Sequence, residues 1–398
     1  MKRRVAIITI FIIALGQVLI TLQVPAATRV PNAGLVDFAS DRWVIDDKKA
    51  KQEEFLGRKS LFLSDGVAHL KDVDFEDGTI EVDIAAMPVS FPGITFRWAS
   101  ADAHELVYLR PHHSRHEDST QYVPAFQGSH PWQIYNGPGY TAAAEVPTAQ
   151  WFHLRIEVSG LVAKVFVNAA AKPTLVITDL KRGYTHGSIG ISSGAQGAHF
   201  ANFSYTTAAA TAPTPVKYPE PAAGTLTKWE LSEAFATDKT NPETLPEVTA
   251  LKWESVQSEY PGMVVIDRYR RSPNVVSPFA FDRSLRLQPA KGTMVVFART
   301  TIDADSARIV KMKFGYSDEA TVFLNGQPLF TGKSAWSFRD PDFNGVLDVE
   351  NDAVYLPLKQ GRNELMLAVK EYFGGWGFIC RLETTAGLQI NKIENAER

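Results

Sequence analysis

The chain has 398 residues, of which 45% are hydrophobic and 21% charged, and its formal net charge is −3. This length suggests two domains, and the composition is that of ordinary globular protein. A mildly acidic chain has no electrostatic attraction to nucleic acid or anionic lipid, so we expect neither as a partner. The single cysteine, Cys380, excludes an internal disulfide.

The N-terminal segment has the features of a secretory signal peptide. Three basic residues at positions 2–4 precede an apolar run that ends near Val24, and small residues follow it. This order predicts cleavage near Ala26, so residues 1–26 form the leader and the mature protein is secreted or periplasmic in a bacterium. The apolar run is also long enough for an uncleaved membrane anchor, which stays open as the alternative. We predict no membrane span after it.

Short alternating segments predict an all-β first domain over residues 35–205. Apolar and polar side chains alternate in Thr79–Ala85 and again in Phe152–Val158. Such alternation is typical of strands with one buried face. Asp65-Gly66 lies between two apolar runs and predicts a hairpin over Ser60–Leu70. Because no segment here has a sustained helical period, we predict an antiparallel sandwich or barrel.

A segment rich in Ala, Thr and Pro, residues 206–224, divides the chain and predicts an extended linker. Beyond it, residues 225–390 contain further strand patterns, including Leu285 and Leu287. Asn325-Gly326 predicts a type I′ hairpin because both residues accept a positive φ. We therefore predict an all-β chain of two antiparallel β-sandwich (jelly-roll) domains joined by this linker.

The stretch from Glu105 to Tyr140 concentrates aromatic, basic and amide side chains. Alternation places Tyr108 and Arg110 on one strand face, pointing away from the core. Aromatic rings stack on the C–H faces of a pyranose while polar groups bind its hydroxyls, so this combination indicates a sugar-binding surface. We predict that the ligand is bound by Arg97, Tyr108, Arg110, Gln121, Tyr122, Trp132 and Tyr135.

In this interpretation the rings stack, and the arginines and Gln121 bind hydroxyl or carboxylate groups. The alternative is a rim of loops in which the aromatic side chains merely pack. A long predicted loop of the second domain and the glycine-rich string after it supply further ligand candidates, because recognition residues concentrate in loops. These candidates are Trp336, Arg339, Asp340 and Trp376, with an aromatic plug under the loop as the alternative.

Several strings carry a family resemblance. In the first domain they include GTIEVDI at 78–84, WFHLRIEV at 151–158 and KVFVN at 164–168, and in the second GYSDEATVFLNGQPL at 315–329 and GGWGF at 374–378. The first domain resembles the concanavalin A-like lectin/glucanase superfamily, including laminin-G-like and 3-keto-disaccharide-hydrolase-like modules. The second resembles galactose-binding-like jelly rolls. The resemblance implies folds that carry lectins, hydrolases, lyases and adhesion modules.

Glu81 and Asp83 lie on one strand face, and their spacing resembles the catalytic strand of family 16 glycoside hydrolases. Retaining hydrolysis needs two carboxyls about 5 Å apart. Ala85 and Ala86 stand where the acid/base glutamate of that family is expected. We therefore interpret Glu81 and Asp83 as part of a solvated polar sheet face and leave the catalytic residues unassigned.

The histidines of the predicted loop match no metal-binding motif, and no helical spacing brings them together with Asp118. These histidines are His112, His113, His116 and His130. We predict no metal and no cofactor, while structural calcium stays open because scattered oxygen ligands suffice for it.

The predicted function is that of an exported, lectin-like protein that binds carbohydrate or polysaccharide outside the cell or in the envelope. The first alternative is a glycan-cleaving enzyme, a glycoside hydrolase or polysaccharide lyase, that uses the same face. A lyase would need only a Tyr or His base and a neutralising Arg. The second alternative is a structural module without a small ligand. The identity of the glycan and the oligomeric state stay open.

Overall fold

A computed structural model describes residues 34–168, 170–237, 243–244, 251–272, 293–371 and 373–391. Within these ranges the regular structure consists of β-strands and two single turns of 3-10 helix, Pro111–His113 and Ile266–Arg268. The strands form four antiparallel sheets, which confirms the predicted all-β fold. The predicted signal peptide and the strand pattern at Leu285 and Leu287 lie outside the described residues.

The first sandwich consists of two seven-stranded sheets. Its strands are β1 (Trp43–Val44), β2 (Ala50–Phe55), β3 (Arg58–Leu63), β4 (Gly66–Leu70), β5 (Gly78–Ala86), β6 (Gly93–Ser100), β7 (Ala103–Leu109), β8 (Thr120–Pro124), β9 (Thr141–Ala142), β10 (Trp151–Ser159), β11 (Val162–Val167), β12 (Leu175–Ile177), β13 (Ser188–Ser193) and β14 (Ala198–Thr207). The first sheet has the order β1-β4-β13-β6-β7-β8-β9. The second has the order β12-β11-β10-β5-β14-β3-β2.

The alternation in β5 separates a buried face from a polar one, as predicted. Ile80, Val82 and Ile84 are fully buried, whereas Glu81 and Asp83 on the other face are partly exposed. Burying an aliphatic side chain of this size contributes about 1.5–3 kcal/mol. The buried side chains of both sheets form a single core, which is why the two sheets pack face to face.

The predicted hairpin at Asp65-Gly66 is wrong. Strands β3 and β4 flank this turn, but β3 pairs with β2 and β14 in the second sheet, while β4 pairs with β1 and β13 in the first. The turn therefore connects the two layers of the sandwich. This arrangement buries Leu63 and Leu70 in the same core, whereas a flat hairpin would place them within one sheet.

The second sandwich contains β15 (Lys228–Ala236), β16 (Glu254–Gln257), β17 (Val264–Val265), β18 (Met294–Ala304), β19 (Arg308–Ser317), β20 (Glu319–Leu324), β21 (Gln327–Lys333), β22 (Asp352–Leu358), β23 (Gly361–Glu371), β24 (Gly377–Leu382) and β25 (Leu388–Gln389). The third sheet has the order β16-β15-β18-β23-β20-β21, with β25 paired to β18. The fourth has the order β17-β24-β19-β22.

The Asn325-Gly326 hairpin is confirmed, since β20 pairs with β21 and the two turn residues have φ values of 50° and 80°. Side chains of the third and fourth sheets form a second core. Cys380 on β24 is fully buried in this core, and burial raises the pKa of its thiol.

Residues 208–224, most of the predicted linker, have no regular structure. Tyr218 nevertheless contacts both halves of the chain. Its hydroxyl donates to a carboxylate oxygen of Asp179 at 2.7 Å, and its ring stacks on Tyr260 with 4.8 Å between centroids. That the two halves fold independently on either side of this segment stays a prediction.

An extensive contact joins the two sandwiches. One apolar cluster combines side chains of the first sandwich with Met263, Val265 and Ile379 of the second. Gln133 is fully buried in the contact, where its Nε2 donates to the carbonyl of Asn344 at 2.8 Å. The two halves are therefore held together by apolar packing and by buried hydrogen bonds.

Candidate functional site

The connection between β8 and β9 folds back over the outward face of the first sheet. Gln121 on β8 donates from Nε2 to the carbonyl oxygens of Trp132 and Tyr135, each at 2.8 Å. These bonds fix the loop so that the centroid of the Trp132 ring lies 5.5 Å from Cζ of Arg110. The outward face of this sheet is therefore covered and not open to solvent.

Arg110 forms the centre of a polar cluster beneath this loop. Its Nη1 donates to the carbonyl of Asp118 at 2.6 Å, and its Nη2 donates to the hydroxyl of Tyr108 at 2.5 Å and to Oε1 of Gln121. Cζ also lies 4.8 Å from the centroid of the Tyr108 ring. Hydrogen bonds from a charged donor are stronger than neutral ones, so the guanidinium holds the surrounding rings in place.

A cavity of about 420 Å³ opens beside this cluster, between the two sandwiches. Its size lies within the range of small-molecule sites. The first sandwich contributes Val89, Phe91, Tyr108, Arg110, His112, His113, Asp118 and Trp132. The second contributes Trp336, Ser337, Pro341, Asp342, Asn344 and Phe373.

The aromatic wall of the cavity crosses the junction between the sandwiches. The ring of Phe373 lies 6.0 Å from the ring of Trp132 and 5.8 Å from that of Trp336, measured between centroids. Trp132 is 8% exposed, while Trp336 is partly exposed. The indole of Trp336 is therefore the more accessible of the two to a ligand.

The polar side of the cavity contains a fixed carboxylate. Nδ1 of His113 lies 3.1 Å from both carboxylate oxygens of Asp118, and Nη1 of Arg110 lies 3.8 Å from one of them. Desolvation acts to raise the pKa of Asp118, but the hydrogen bond from His113 and the charge of Arg110 outweigh it and lower the pKa below its ordinary value. Burial raises the pKa of Tyr108 to about 12. Asp118 is thus an ionised acceptor at neutral pH, and Tyr108 stays a neutral phenol.

The structure brings several of the predicted site residues together. Tyr108, Arg110 and Trp132 line the cavity, and Gln121 lies directly beneath it. The expectation that Tyr108 and Arg110 are exposed is wrong, since they are 1% and 5% exposed. Strand β7 does direct Val107 into the core. The loop and the second sandwich cover the opposite face of β7, which carries Tyr108.

Arg97 lies away from the cavity. It has a φ of 48° where the register of β6 shifts against its neighbours. Its Nη2 lies 3.2 Å from a carboxylate oxygen of Asp77 and donates to the carbonyl of Gly160 at 2.6 Å. The guanidinium is 0% exposed. Arg97 is therefore a buried structural residue of β6 and does not line the cavity.

Tyr122 and Tyr135 are also structural. Tyr122 follows Gln121 on β8, and neighbouring residues of a strand point to opposite faces. The Tyr122 ring therefore enters the first core, where its hydroxyl donates to a carboxylate oxygen of Glu105 at 2.7 Å. Tyr135 is fully buried in the contact between the sandwiches, and its hydroxyl donates to Glu259 at 2.9 Å.

The candidates of the second domain are divided in the same way. Trp336 lines the cavity. Arg339 pairs with Asp352, and Asp340 accepts a hydrogen bond from a backbone amide of its own turn. Trp376 is fully buried in the second core, where its Nε1 donates to the carbonyl of Val369 at 3.0 Å. Burial therefore places Trp376 out of reach of a ligand.

Several residues of the cavity are absent from the predicted site. The sequence offers His113 and Asp118 only as candidate metal ligands. Phe91 and Phe373 each stand beside Pro or Gly in a connection between strands, which is a weak signal for an aromatic side chain at the edge of a site. Asp342 has no signal in the sequence, because only the docking of the second sandwich brings it to the cavity.

Glu81 and Asp83 lie on the outward face of the second sheet. Asp83 accepts hydrogen bonds from Nδ1 of His153 at 2.8 Å and from Arg58 at 2.6 Å. Ala85, on the same face, is fully buried. These carboxylates are part of an ion-paired sheet face. In the part of the chain that the structure describes, no three or more His, Cys, Asp or Glu residues have a geometry that could hold a metal ion.

No family model and no curated protein matches the chain. Solved structures with similar folds include a carbohydrate-binding module of family 66 from Bacillus subtilis, with 16% identity over 42% of this chain and 96% of that one, at a TM-score of 0.33. A β-glucanase from Bacillus licheniformis has 12% identity over 41% and 83%, at a TM-score of 0.29. A family 35 module from an environmental isolate has 21% identity over 26% and 72%, at a TM-score of 0.17. With TM-scores below 0.5, these similarities do not bear on what the chain binds.

The described ranges also contain no helix with the length and apolar character needed to cross a membrane.

Proposed function

We propose that this protein binds carbohydrate in the cavity between its two sandwiches. The observation that carries the proposal is the pairing, in one cavity, of an aromatic wall with fixed polar groups. Trp336 and Phe373 offer ring surfaces for the C–H face of a pyranose, and Asp118 accepts hydrogen bonds from hydroxyl groups. Because both sandwiches line the cavity, the ligand would contact both.

Trp336 gives a sharper test of this proposal than Trp132. Trp132 belongs to the loop that covers the first sheet and its ring is buried, so its truncation should cost about 3–5 kcal/mol of stability, as for packed tryptophans in general. Trp336 is partly exposed, and its ring can be removed with a smaller loss of packing.

The experiment begins with a glycan array on the mature protein, followed by titration calorimetry with the glycans that bind. Trp336→Ala should weaken binding roughly tenfold to a hundredfold, because a buried ring contact contributes about 1.5–3 kcal/mol. Phe338→Ala is the matched control, since Phe338 lies in the same loop, is 47% exposed and does not line the cavity. Equal affinities for the two variants would contradict the proposal.

A second candidate function is glycan cleavage in the same cavity. It is favoured by two carboxyl groups, Asp118 from the first sandwich and Asp342 from the second, that line one space. Paired carboxyls are the usual machinery of glycoside hydrolases. The lyase alternative has less support, because Arg110 is bound to protein partners and the raised pKa of Tyr108 keeps its phenol protonated, so it cannot accept a proton from a substrate.

Mass spectrometry of bound glycans after long incubation distinguishes the two functions. Products that disappear in both Asp118→Asn and Asp342→Asn would establish a hydrolase. Intact glycans together with measurable binding would leave the protein a lectin.

We further propose that the protein is exported and that its leader is removed near Ala26. This proposal rests on the basic start and apolar run of the sequence. N-terminal sequencing of secreted material tests it, and an intact Met1 in the membrane fraction would contradict it.

A further inference from the structure

The arginine of the cavity is not available to a ligand carboxylate. Arginine recognises carboxylates with two parallel N–H donors. In Arg110, Nη1 is bound to the carbonyl of Asp118, and Nη2 is bound to Tyr108 and Gln121. The side chain is also 5% exposed and lies against the ring of Trp132. A bidentate contact with a ligand would require these bonds to break.

The charge that faces the cavity is negative. Asp118 and Asp342 both line it, and Arg110 is the only arginine or lysine among the described residues that do so. Arg110 lies 3.8 Å from Asp118, which leaves the exposed carboxylate of Asp342 without a matching cation in the lining. Like charges brought together at a binding site weaken binding. Carboxylates accept hydrogen bonds and cannot donate them, so they suit a ligand that presents hydroxyl groups.

We propose that the ligand of this cavity is an uncharged sugar whose hydroxyl groups are bound by Asp118 and Asp342, and that uronic acids are rejected. This inference rests on the proposed function, because it specifies the class of carbohydrate. It replaces our interpretation from the sequence, in which Arg110 was free to pair with a uronate. Asp342 is the residue that sets the selectivity, since it is exposed and belongs to the second sandwich.

The test uses matched pairs of tetrasaccharides. The neutral probes are the β-linked tetrasaccharides of glucose, galactose and mannose, and each partner is the tetrasaccharide of the corresponding uronic acid with the same linkage. Affinities are measured by calorimetry on the full mature chain, at low and at high salt. For the pair with the best neutral ligand, we expect at least about tenfold tighter binding of the neutral member at low salt.

Two further measurements identify the cause of this selectivity. High salt should reduce it, because mobile ions screen repulsion at a partly exposed site. Asp342→Asn should also reduce it several-fold by improving the binding of the uronate. Asp348→Asn is the matched control, because it removes an exposed carboxylate that follows in the same connection but does not line the cavity. The control should keep the selectivity of the wild-type protein.

The possible failures are distinguishable. Equal or tighter binding of the uronate, or a selectivity that neither salt nor Asp342→Asn changes, would overturn the inference while leaving carbohydrate binding in place. If no neutral and no uronic probe binds, the proposed function fails together with the inference.

Discussion

The contact between the sandwiches predicts a large effect for Gln133→Ala. The side chain of Gln133 is fully buried, its Nε2 donates to the carbonyl of Asn344 at 2.8 Å, and its Oε1 accepts from the hydroxyl of Ser317 at 3.0 Å. Truncation removes both bonds, of which the one to Ser317 is buried and the one to Asn344 is partly buried, and losing a buried hydrogen bond costs about 1–3 kcal/mol. We therefore expect a loss of about 1–3 kcal/mol in the free energy of unfolding.

Urea unfolding monitored by tryptophan fluorescence measures this loss, because Trp132 and Trp336 lie on either side of the contact. The matched control is Gln127→Ala. Gln127 also spans the contact, but it is partly exposed and its Nε2 lies 3.4 and 3.2 Å from the carbonyls of Asp267 and Arg268. We expect this control to lose less than about 1 kcal/mol. Equal losses for the two variants would refute the view that buried hydrogen bonds hold the sandwiches together.

Three other predictions concern stability and domain structure. Arg97→Met should cost about 3–5 kcal/mol in thermal melts because it leaves the Asp77 carboxylate buried without its ion pair, and it should leave glycan affinity unchanged. Burial raises the pKa of Asp267 to about 7, so the stability that its protonated form contributes is fully present below the unfolded pKa near 4 and is lost as the pH rises through about 7. Urea titrations from about pH 4 to 8 should show the wild-type protein losing stability relative to Asp267→Asn, and parallel curves would contradict this. Elastase should cut first within residues 208–217, which have no regular structure and precede the contacts of Tyr218, and unfolding of the separated halves would show that each needs the other.

The sequence predicted which face of a strand a side chain lies on, but not what covers that face. Alternation correctly separated Tyr108 from Val107. The local pattern alone predicts an exposed outward face, because nothing in it reveals a loop that folds back or a second domain that docks. Gln133 and Asn344, which meet in the contact, are 211 residues apart in the chain. Contacts of this kind depend on the tertiary arrangement and leave no periodic signal.

Two glycine-containing turns show the same limit. Asn325-Gly326 forms the predicted hairpin, while Asp65-Gly66 connects two different sheets. Both turns have the local chemistry of a tight reversal. At Asp65-Gly66 the two flanking strands join different sheets because this buries the apolar residues of both strands in one core.

Tyr122 is different, because the period of two in a strand alone could have placed it on the face opposite Gln121. Arg97 could not have been placed in this way, since the register shift in β6 interrupts the alternation.

Cys380 gives the second sandwich a chemical reporter of its own. It is the only cysteine of the chain and is fully buried, with a raised pKa that keeps it protonated and unreactive in the folded state. A thiol reagent can therefore label the native protein only when the second core opens. The rate of labelling reports how often this opening occurs. The first sandwich carries no thiol and stays silent in this measurement. If a glycan in the shared cavity slows the labelling of Cys380, the ratio of the labelling rates without and with glycan measures how strongly the ligand stabilises the second sandwich.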